Sequence, residues 1–281
     1  MSQHRDVDGS GGAALGPDSL AWKFAGDRRV HFVAGRALCL QVAHPTVSAG
    51  VAQFSDYRKN PYARLERTLA TTYAVVYGEE HALEAARALR KMHERIRGVD
   101  AHGRAWHALE PGAFAWVHAT TFESLVCMCQ HFARPLDGPE MAKLYDEFRS
   151  IGRMYGVTDD DLPRHLEGFF SYYRDMLDRK LEHTETAKGL LAYIKSSTPP
   201  PPGWHELWKP AFRTAGAFNH LVTVGLLPEA LRERWGLRWS AADRSALRTF
   251  ETAVRAGWAF VPSRHRYHPA AQAAFARAAH A

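Results

Sequence analysis

Histidine is the residue type most able to do chemistry in this chain, which has 16 of them among 281 residues. An imidazole can ligate a metal or haem iron, or transfer protons. No glutamate is followed by a histidine three residues later, which excludes the Glu-x-x-His pairs of di-iron bundles. The His-x-x-x-His spacing of helical zinc proteases is also absent. His265 and His268 form a close pair, but no third ligand lies near them, so we interpret them as surface or helix-end histidines.

His93 is the strongest candidate ligand. The 3.6-residue periodicity predicts a helix from Glu79 to Arg97, closed by Gly98. His93 falls on the apolar face of this helix, the face formed by Ala82, Ala86, Leu89 and Ile96. We therefore expect its imidazole to point toward the core.

Two arginines flank that histidine at helical spacing. On a continuous helix, Arg90 and Arg97 lie together along one margin of the face that carries His93. In one interpretation, His93 is a neutral core residue that hydrogen-bonds a backbone carbonyl. In the other, the two guanidiniums meet the carboxylates of a haem whose iron is bound by His93.

The preceding predicted helix, Pro61 to Val76, offers a partner surface. Its Arg/Thr stripe consists of Arg64, Arg67, Thr68 and Thr71, beside an apolar face. The stripe is either a solvated surface or a set of polar donors over a ligand, with Arg64 and Thr68 one turn apart. The spacing leaves both interpretations open.

Two further histidines deserve comparison with His93. His44 is a less favoured rival ligand, because it precedes Pro45 at a helix end, where a ring more often caps a carbonyl or the helix dipole. His118 lies on an apolar helix, and we expect it to pack or to support the site rather than to ligate.

The elements that position these residues are nearly all predicted to be helices. Predicted helices or helix starts are Val30–Ala43, Asn60-Pro61 through Val76, Glu79–Arg97, Ala113–Ala133, Gly138-Pro139, Leu162-Pro163 and Ser240, the last with Asp243 supporting the cap. A polyproline spacer spans residues 198–203. The sequence thus predicts an all-α fold with a single globular helical domain over 20–281 and a disordered tail over 1–19.

Composition excludes several classes of protein. A hydrophobic fraction of 46% with 23% charged residues excludes disorder for the bulk of the chain. The three cysteines, Cys39, Cys127 and Cys129, are too few for a disulfide or zinc framework and are predicted to be small core hydrophobes. The net charge of +6 is spread along the chain without a nucleic-acid-binding motif. No apolar run suits a membrane span and no secretory signal is visible, so a cytoplasmic location is predicted.

Four segments, in order, resemble the DUF2236 family, which contains the latex-clearing (rubber) oxygenases and the fungal MpaB oxygenases. They are Leu-Gln-Val-Ala-His-Pro at 40–45, Arg-Leu-Glu-Arg-Thr at 64–68, Arg-x-x-His-x-x-x-Arg at 90–97 and Trp-Val-His-Ala-Thr at 116–120. The resemblance covers most of the chain, from about residue 22 onward. The resemblance implies a globin-like all-α fold that holds haem b, and an enzyme that uses O₂ as a co-substrate.

The resemblance also implies roles for particular residues. The family's axial histidine corresponds to His93, with Arg90 and Arg97 as its accompanying arginines, and the distal pair corresponds to Arg64 and Thr68. The rubber-cleaving branch has an iron-ligating lysine at the place of Arg67. A guanidinium stays protonated and is a poor ligand, so the distal position is expected to be open or water-filled.

That branch also uses a glutamate upstream of its Arg/Thr pair. No carboxylate lies between His44 and Ser55, so the same base chemistry is not expected here.

The function predicted from the sequence is therefore a haem-b-dependent oxygenase acting on a small apolar substrate. The resemblance to cleaving oxygenases implies attack on an activated double bond. The alternatives are a haem carrier or gas sensor without chemistry, and a haem-free helical protein in which His93 is a core residue. The sequence makes no prediction of the oligomeric state.

Overall fold

The computed structural model describes residues 14–55, 61–100, 103–196 and 209–280, and within them the side chains of all but 61–66 and 209–213. Fourteen α-helices form in these ranges: α1 Leu20–Ala25, α2 Val30–Val42, α3 Pro45–Phe54, α4 Pro61–Val76, α5 Ala82–His93, α6 Pro111–Phe132, α7 Gly138–Met154, α8 Leu166–Asp175, α9 Glu185–Ser196, α10 Lys209–Leu226, α11 Glu229–Arg234, α12 Ala241–Trp258, α13 Ser263–Arg266 and α14 Pro269–Ala278. A 3₁₀ turn, Glu79–His81, precedes α5, and a π-helical turn, Met176–Lys180, follows α8. The predicted all-α class is confirmed.

A short antiparallel hairpin interrupts the helices between α5 and α6. Its strands are β1 Arg97–Val99 and β2 Ala105–His107, with Gly98 opposite Trp106. The helical periodicity did not indicate this hairpin. The predicted helix Glu79–Arg97 is therefore wrong at its end, because α5 stops at His93 and the chain then turns into β1.

Other predicted helix boundaries are close to those observed. α2 and α4 match the predictions, with Pro61 in the first turn of α4. α12 begins with the predicted capping box, in which Ser240 and Asp243 exchange side-chain-to-backbone hydrogen bonds. α8 begins at Leu166, after the predicted Leu162-Pro163 start.

The core is built around α2 and α6, which pack against each other and are apolar around most of their circumference. Their three thiols, Cys39, Cys127 and Cys129, are buried, as predicted for small core hydrophobes. Burial raises the pKa of Cys39 to about 12 and that of Cys127 to about 11, so both are protonated at neutral pH.

One buried ion pair joins these two helices. The Arg36 guanidinium on α2 makes a bidentate contact with the Glu123 carboxylate on α6. It also donates to the Leu226 carbonyl at 2.6 Å and to the Tyr173 hydroxyl at 3.1 Å. The side chains of Arg36 and Glu123 are only 4% and 14% exposed. Four helices thus meet at one guanidinium.

The two ends of the described chain pack together. The Glu147 carboxylate on α7 accepts from the first amides of α1, at Leu20 (3.0 Å) and Ala21 (2.7 Å). The C-terminal segment pairs with the residues after α1, where the amide of His268 donates to the Gly26 carbonyl at 2.8 Å. The ring of Phe275 on α14 packs edge-on against Trp22 of α1.

Some predicted features lie outside the described residues. These are residues 1–13 of the predicted tail and the polyproline spacer at 198–203. Ser19, assigned to that tail, caps α1 by accepting from the amide of Trp22. Within the described ranges, no helix combines the length and apolar character needed to cross a bilayer.

Candidate functional site

His93 is the last residue of α5, and its ring orientation is fixed by the helix itself. Nδ1 lies 2.9 Å from the Leu89 carbonyl oxygen one turn earlier. A carbonyl only accepts, so Nδ1 carries the proton in the neutral ring and Nε2 keeps its lone pair. None of the described residues hydrogen-bonds to Nε2. A carbonyl that holds one ring nitrogen in this way fixes the orientation of the imidazole.

The environment of His93 combines a protein wall with partial access to solvent. The side chain is half-buried, and its ring packs edge-on against Phe114 in the first turn of α6, with the ring centroids 5.9 Å apart. The expectation that the imidazole faces inward is met in part.

The hairpin carries the chain from His93 to α6. The amide of Ile96 donates to the His93 carbonyl at 3.0 Å, and the amide of Ala108 donates to the Ile96 carbonyl at 2.8 Å. Glu110 is the N-cap residue of α6. His93 and the N-terminal end of α6 are thus held together by a short, hydrogen-bonded connection.

Arg90 lies one turn before His93 and is half-buried. Its Nη1 is 3.4 Å from the Tyr155 carbonyl oxygen, at the end of α7. The guanidinium passes over Gly156, whose φ is +85°, and a Cβ added there would lie 2.6 Å from Nη1. A glycine at 156 therefore leaves the room that this arginine occupies.

Arg97 does not share a helical margin with Arg90. The predicted alignment required helix to residue 97, whereas Arg97 is the first residue of β1 and is exposed. No described carboxylate forms an ion pair with Arg97, so its guanidinium can meet an external anion. The assignment of Arg97 as a cofactor-binding residue stays a prediction, without the helical geometry that first supported it.

The predicted distal residues lie on α4, which packs against α5. The side chain of Arg64 is outside the described residues. Arg67 and Thr68 are exposed, and the Thr68 carbonyl accepts from the Thr72 hydroxyl at 3.0 Å. The hydrogen bond and the ring contact described for the His93 side chain are with Leu89 and Phe114.

His44, the rival ligand, is the N-cap residue of α3 but makes no side-chain capping bond. Its Nδ1 is buried and has no hydrogen-bond partner among the described residues. Nδ1 of His44 therefore makes no capping bond, and the expected role of the ring at the C-terminal end of the preceding helix stays a prediction. Burial lowers the pKa of His44, while the carboxylates of Glu110 and Glu182 oppose this effect and Lys180 adds to it.

Glu110 is a neighbour that the sequence did not reveal. Its carboxylate accepts a hydrogen bond from the Thr46 hydroxyl of α3 at 2.7 Å. It also lies close enough to His44 to oppose the lowering of that histidine's pKa by burial. The segment 44–55 has no carboxylate of its own, so this one reaches α3 from a distant part of the chain. The Glu110-Pro111 pair signals a helix start, and nothing local indicates its partner on α3.

His118 has a structural role, as expected. It is buried, and its Nε2 lies 2.6 Å from the Phe148 carbonyl oxygen of α7. Burial lowers the pKa of His118 to about 4, although the hydrogen bond to Phe148 works in the opposite direction. The ring is therefore neutral at pH 7 and joins α6 to α7.

The described residues around His93 do not form a protein-enclosed metal site. In the described part of the chain, no three histidine, cysteine or carboxylate side chains cluster as a metal site would require. A haem iron needs a single axial imidazole with a fixed tautomer and cations for its two carboxylates. Among the described residues, Nε2 of His93 has no hydrogen-bond partner and Arg97 has no carboxylate partner, so these two groups would be available to hold such a cofactor.

Comparison with known proteins identifies the family to which the chain belongs. Residues 22–256 match the family described as "ER-bound oxygenase mpaB/B'/Rubber oxygenase, catalytic domain". No curated protein and no solved structure matches the chain. The matched range runs from within α1 to within α12, and therefore includes His93 and the residues described around it. The chain belongs to the MpaB/rubber oxygenase catalytic domain family.

Proposed function

We propose that the chain is a haem-b-dependent oxygenase that acts on a small apolar substrate. Membership of an oxygenase family supports the reaction class. The observation that carries the haem assignment is the position of the His93 ring, whose Nδ1 lies 2.9 Å from the Leu89 carbonyl oxygen while Nε2 has no hydrogen-bond partner among the described residues.

In this proposal His93 would hold the haem iron, and Arg90 and Arg97 would pair with the two haem carboxylates. When bound, haem supplies the iron that activates O₂. Arg67 would not ligate the iron, because its guanidinium stays protonated.

Arg64 and Thr68 are the proposed catalytic residues. Both side chains donate hydrogen bonds, so they would orient the substrate and stabilise negative charge that develops on oxygen. The apolar substrate class and attack on an activated double bond rest on the family.

An absorption spectrum of the protein, expressed with haem supplementation, tests the cofactor assignment. We expect a Soret band that is lost in His93→Ala, because the axial ligand is removed. His81→Ala is the matched control, because His81 lies just before α5 with its side chain 76% exposed and should leave the band unchanged. Haem at about 100 times its Kd should also stabilise the wild type by about 2.7 kcal/mol, but not His93→Ala.

Two outcomes would contradict the cofactor assignment. Absence of a Soret band in the wild type would favour the haem-free protein. Loss of the band in His44→Ala but not in His93→Ala would make His44 the ligand. O₂ consumption with unsaturated apolar compounds such as isoprenoids then separates the enzyme from a carrier or sensor, since only the enzyme turns over.

A further inference from the structure

We propose that a recess at the C-terminal end of α6 binds a small organic anion, a carboxylate joined to a short hydrocarbon chain. The recess has a volume of about 220 Å³ and lies between α1, α6 and α12. It is lined by Lys23, Phe24, Arg29, Ala133, Arg134 and Arg255. Four of these six side chains are cationic.

Two of the four cations are neutralised by carboxylates. Arg29 is held by Asp27 at 2.6 Å and donates to the Phe132 carbonyl at 3.0 Å. Arg134 forms a bidentate pair with Glu140. These two guanidiniums therefore act mainly as fixed walls of the recess.

Lys23 and Arg255 are only partly compensated by carboxylates. Glu140, which pairs with Arg134, also attracts Lys23 electrostatically. Among the described residues, no carboxylate forms an ion pair with Lys23. Arg255 donates to the Gln130 carbonyl at 2.8 Å, and its distance to the Glu251 carboxylate is 4.0 Å. The other oxygen of Glu251 is 2.8 Å from Nδ1 of His131, so this carboxylate is shared. An incoming anion finds two cations with donors still available.

The remaining lining explains the preference for an organic anion. Phe24 and Ala133 supply an apolar wall beside the charges. The volume is below the range of about 300–1,000 Å³ that is usual for pockets holding drug-sized ligands, so the ligand is smaller. A carboxylate reaches Lys23 and Arg255 while its hydrocarbon chain covers the apolar wall.

The recess is separate from the candidate haem site. Phe114, which packs against His93, and Ala133 lie near opposite ends of α6. A rise of about 1.5 Å per residue puts them about 28 Å apart. The proposal therefore does not depend on haem, and it can fail or succeed without affecting the proposed function.

Calorimetric titration of the full chain, without added haem, tests the proposal with hexanoate, hexanamide and inorganic phosphate. We expect hexanoate to bind and the neutral amide not to bind. Removing one charged partner in Lys23→Ala or Arg255→Ala should weaken hexanoate about tenfold. The double reversal Lys23→Glu with Arg255→Glu should abolish binding. Arg248→Glu is the control, since Arg248 is exposed on α12 and does not line the recess.

The proposal is wrong if wild type shows no binding with hexanoate at about 10 mM, a concentration that would detect even weak complexes. Unchanged affinity in either alanine variant would also overturn it, and these mild changes of exposed side chains keep the test independent of folding. Equal affinity for phosphate and hexanoate would show that the apolar wall contributes nothing and would exclude the organic anion.

Discussion

At the residue scale, His93 and His118 make the same kind of hydrogen bond. One ring nitrogen of each histidine contacts a backbone carbonyl. His118 is buried with that bond as its single polar contact, whereas His93 is half-buried with its second nitrogen available. The two rings therefore differ in how accessible the second nitrogen is to an external group. In the proposed haem site His93 could act as a ligand, because its Nε2 has no hydrogen-bond partner among the described residues.

His118 makes the stability of the protein depend on pH. Its folded pKa of about 4 is below the ordinary value of 6.5, so the unfolded chain binds the proton more tightly. Stability is therefore complete above pH 6.5 and falls as the pH drops toward 4, by up to about 3 kcal/mol. Urea unfolding at several pH values measures this loss. In His118→Gln, which keeps a donor for the Phe148 carbonyl, the loss between pH 6.5 and 4 should be smaller; an identical pH profile would refute the assignment.

Arg36 and Glu123 form a pair whose disruption should be costly. Glu123→Gln leaves a buried guanidinium without its counter-charge, and we expect a loss of about 3–5 kcal/mol in the free energy of unfolding. The double variant Arg36→Met with Glu123→Leu should recover most of this loss, because no buried charge remains. Glu185→Gln breaks a surface pair with Lys188 and should change little. Equal urea midpoints for Glu123→Gln and Glu185→Gln would contradict the expected difference.

The sequence indicated the helix face on which His93 lies, but it did not indicate the neighbours of His93 from distant segments. Periodicity placed His93 beside Leu89 and Ile96, and all three are half-buried. The partners from distant segments, Phe114 and Tyr155, depend on how helices pack and leave no local signal. An arginine on the apolar helix α2 and a glutamate on the apolar helix α6 did carry a signal, since an isolated charge there requires a counter-charge.

At the element scale, the end of α5 shows where local propensity fails. Residues 94–97 read Glu-Arg-Ile-Arg, all compatible with a helix, and the first helix-breaking residue is Gly98. The chain nevertheless leaves the helix after His93, because the β1–β2 pairing and the bond from Ala108 to Ile96 stabilise an extended path. Such pairing is tertiary, so the helix boundary was not readable from the segment alone. The α2, α4 and α12 boundaries carried explicit proline or capping signals and were predicted well.

The turn after α7 should control Arg90, because Gly156 leaves space for its guanidinium. Gly156→Ala adds strain of about 1–2 kcal/mol at positive φ and also displaces Arg90. Gly236→Ala is the matched control, since Gly236 has φ +64° and an added Cβ would meet no atom within 4 Å. We expect haem affinity, measured by Soret titration, to fall about tenfold in Gly156→Ala alone. Equal affinities in the two variants would show that the position of Arg90 does not matter for haem.

At the scale of the whole molecule, the buried hydrophobic residues form one continuous core. The candidate haem site, the recess and the packed ends of the described chain all border this core. α6 passes from the first to the second, and α1 contributes both to the recess and to the contact with α14. The sequence indicated a single helical body from its periodicity, but it could not show that distant segments close on one another.

The contact between α14 and α1 means that the border of homology is not the border of the folding unit. The family match ends at residue 256, yet Ala271 and Ala274 are fully buried and Phe275 covers Trp22. A chain cut after residue 256 would expose Trp22 and Tyr77 to water, and we expect it to lose at least about 3 kcal/mol of stability or to aggregate. Thermal unfolding of the two lengths checks this, and equal melting temperatures would show that the C-terminal segment is dispensable. A boundary drawn by shared ancestry thus passes through the middle of a physical core.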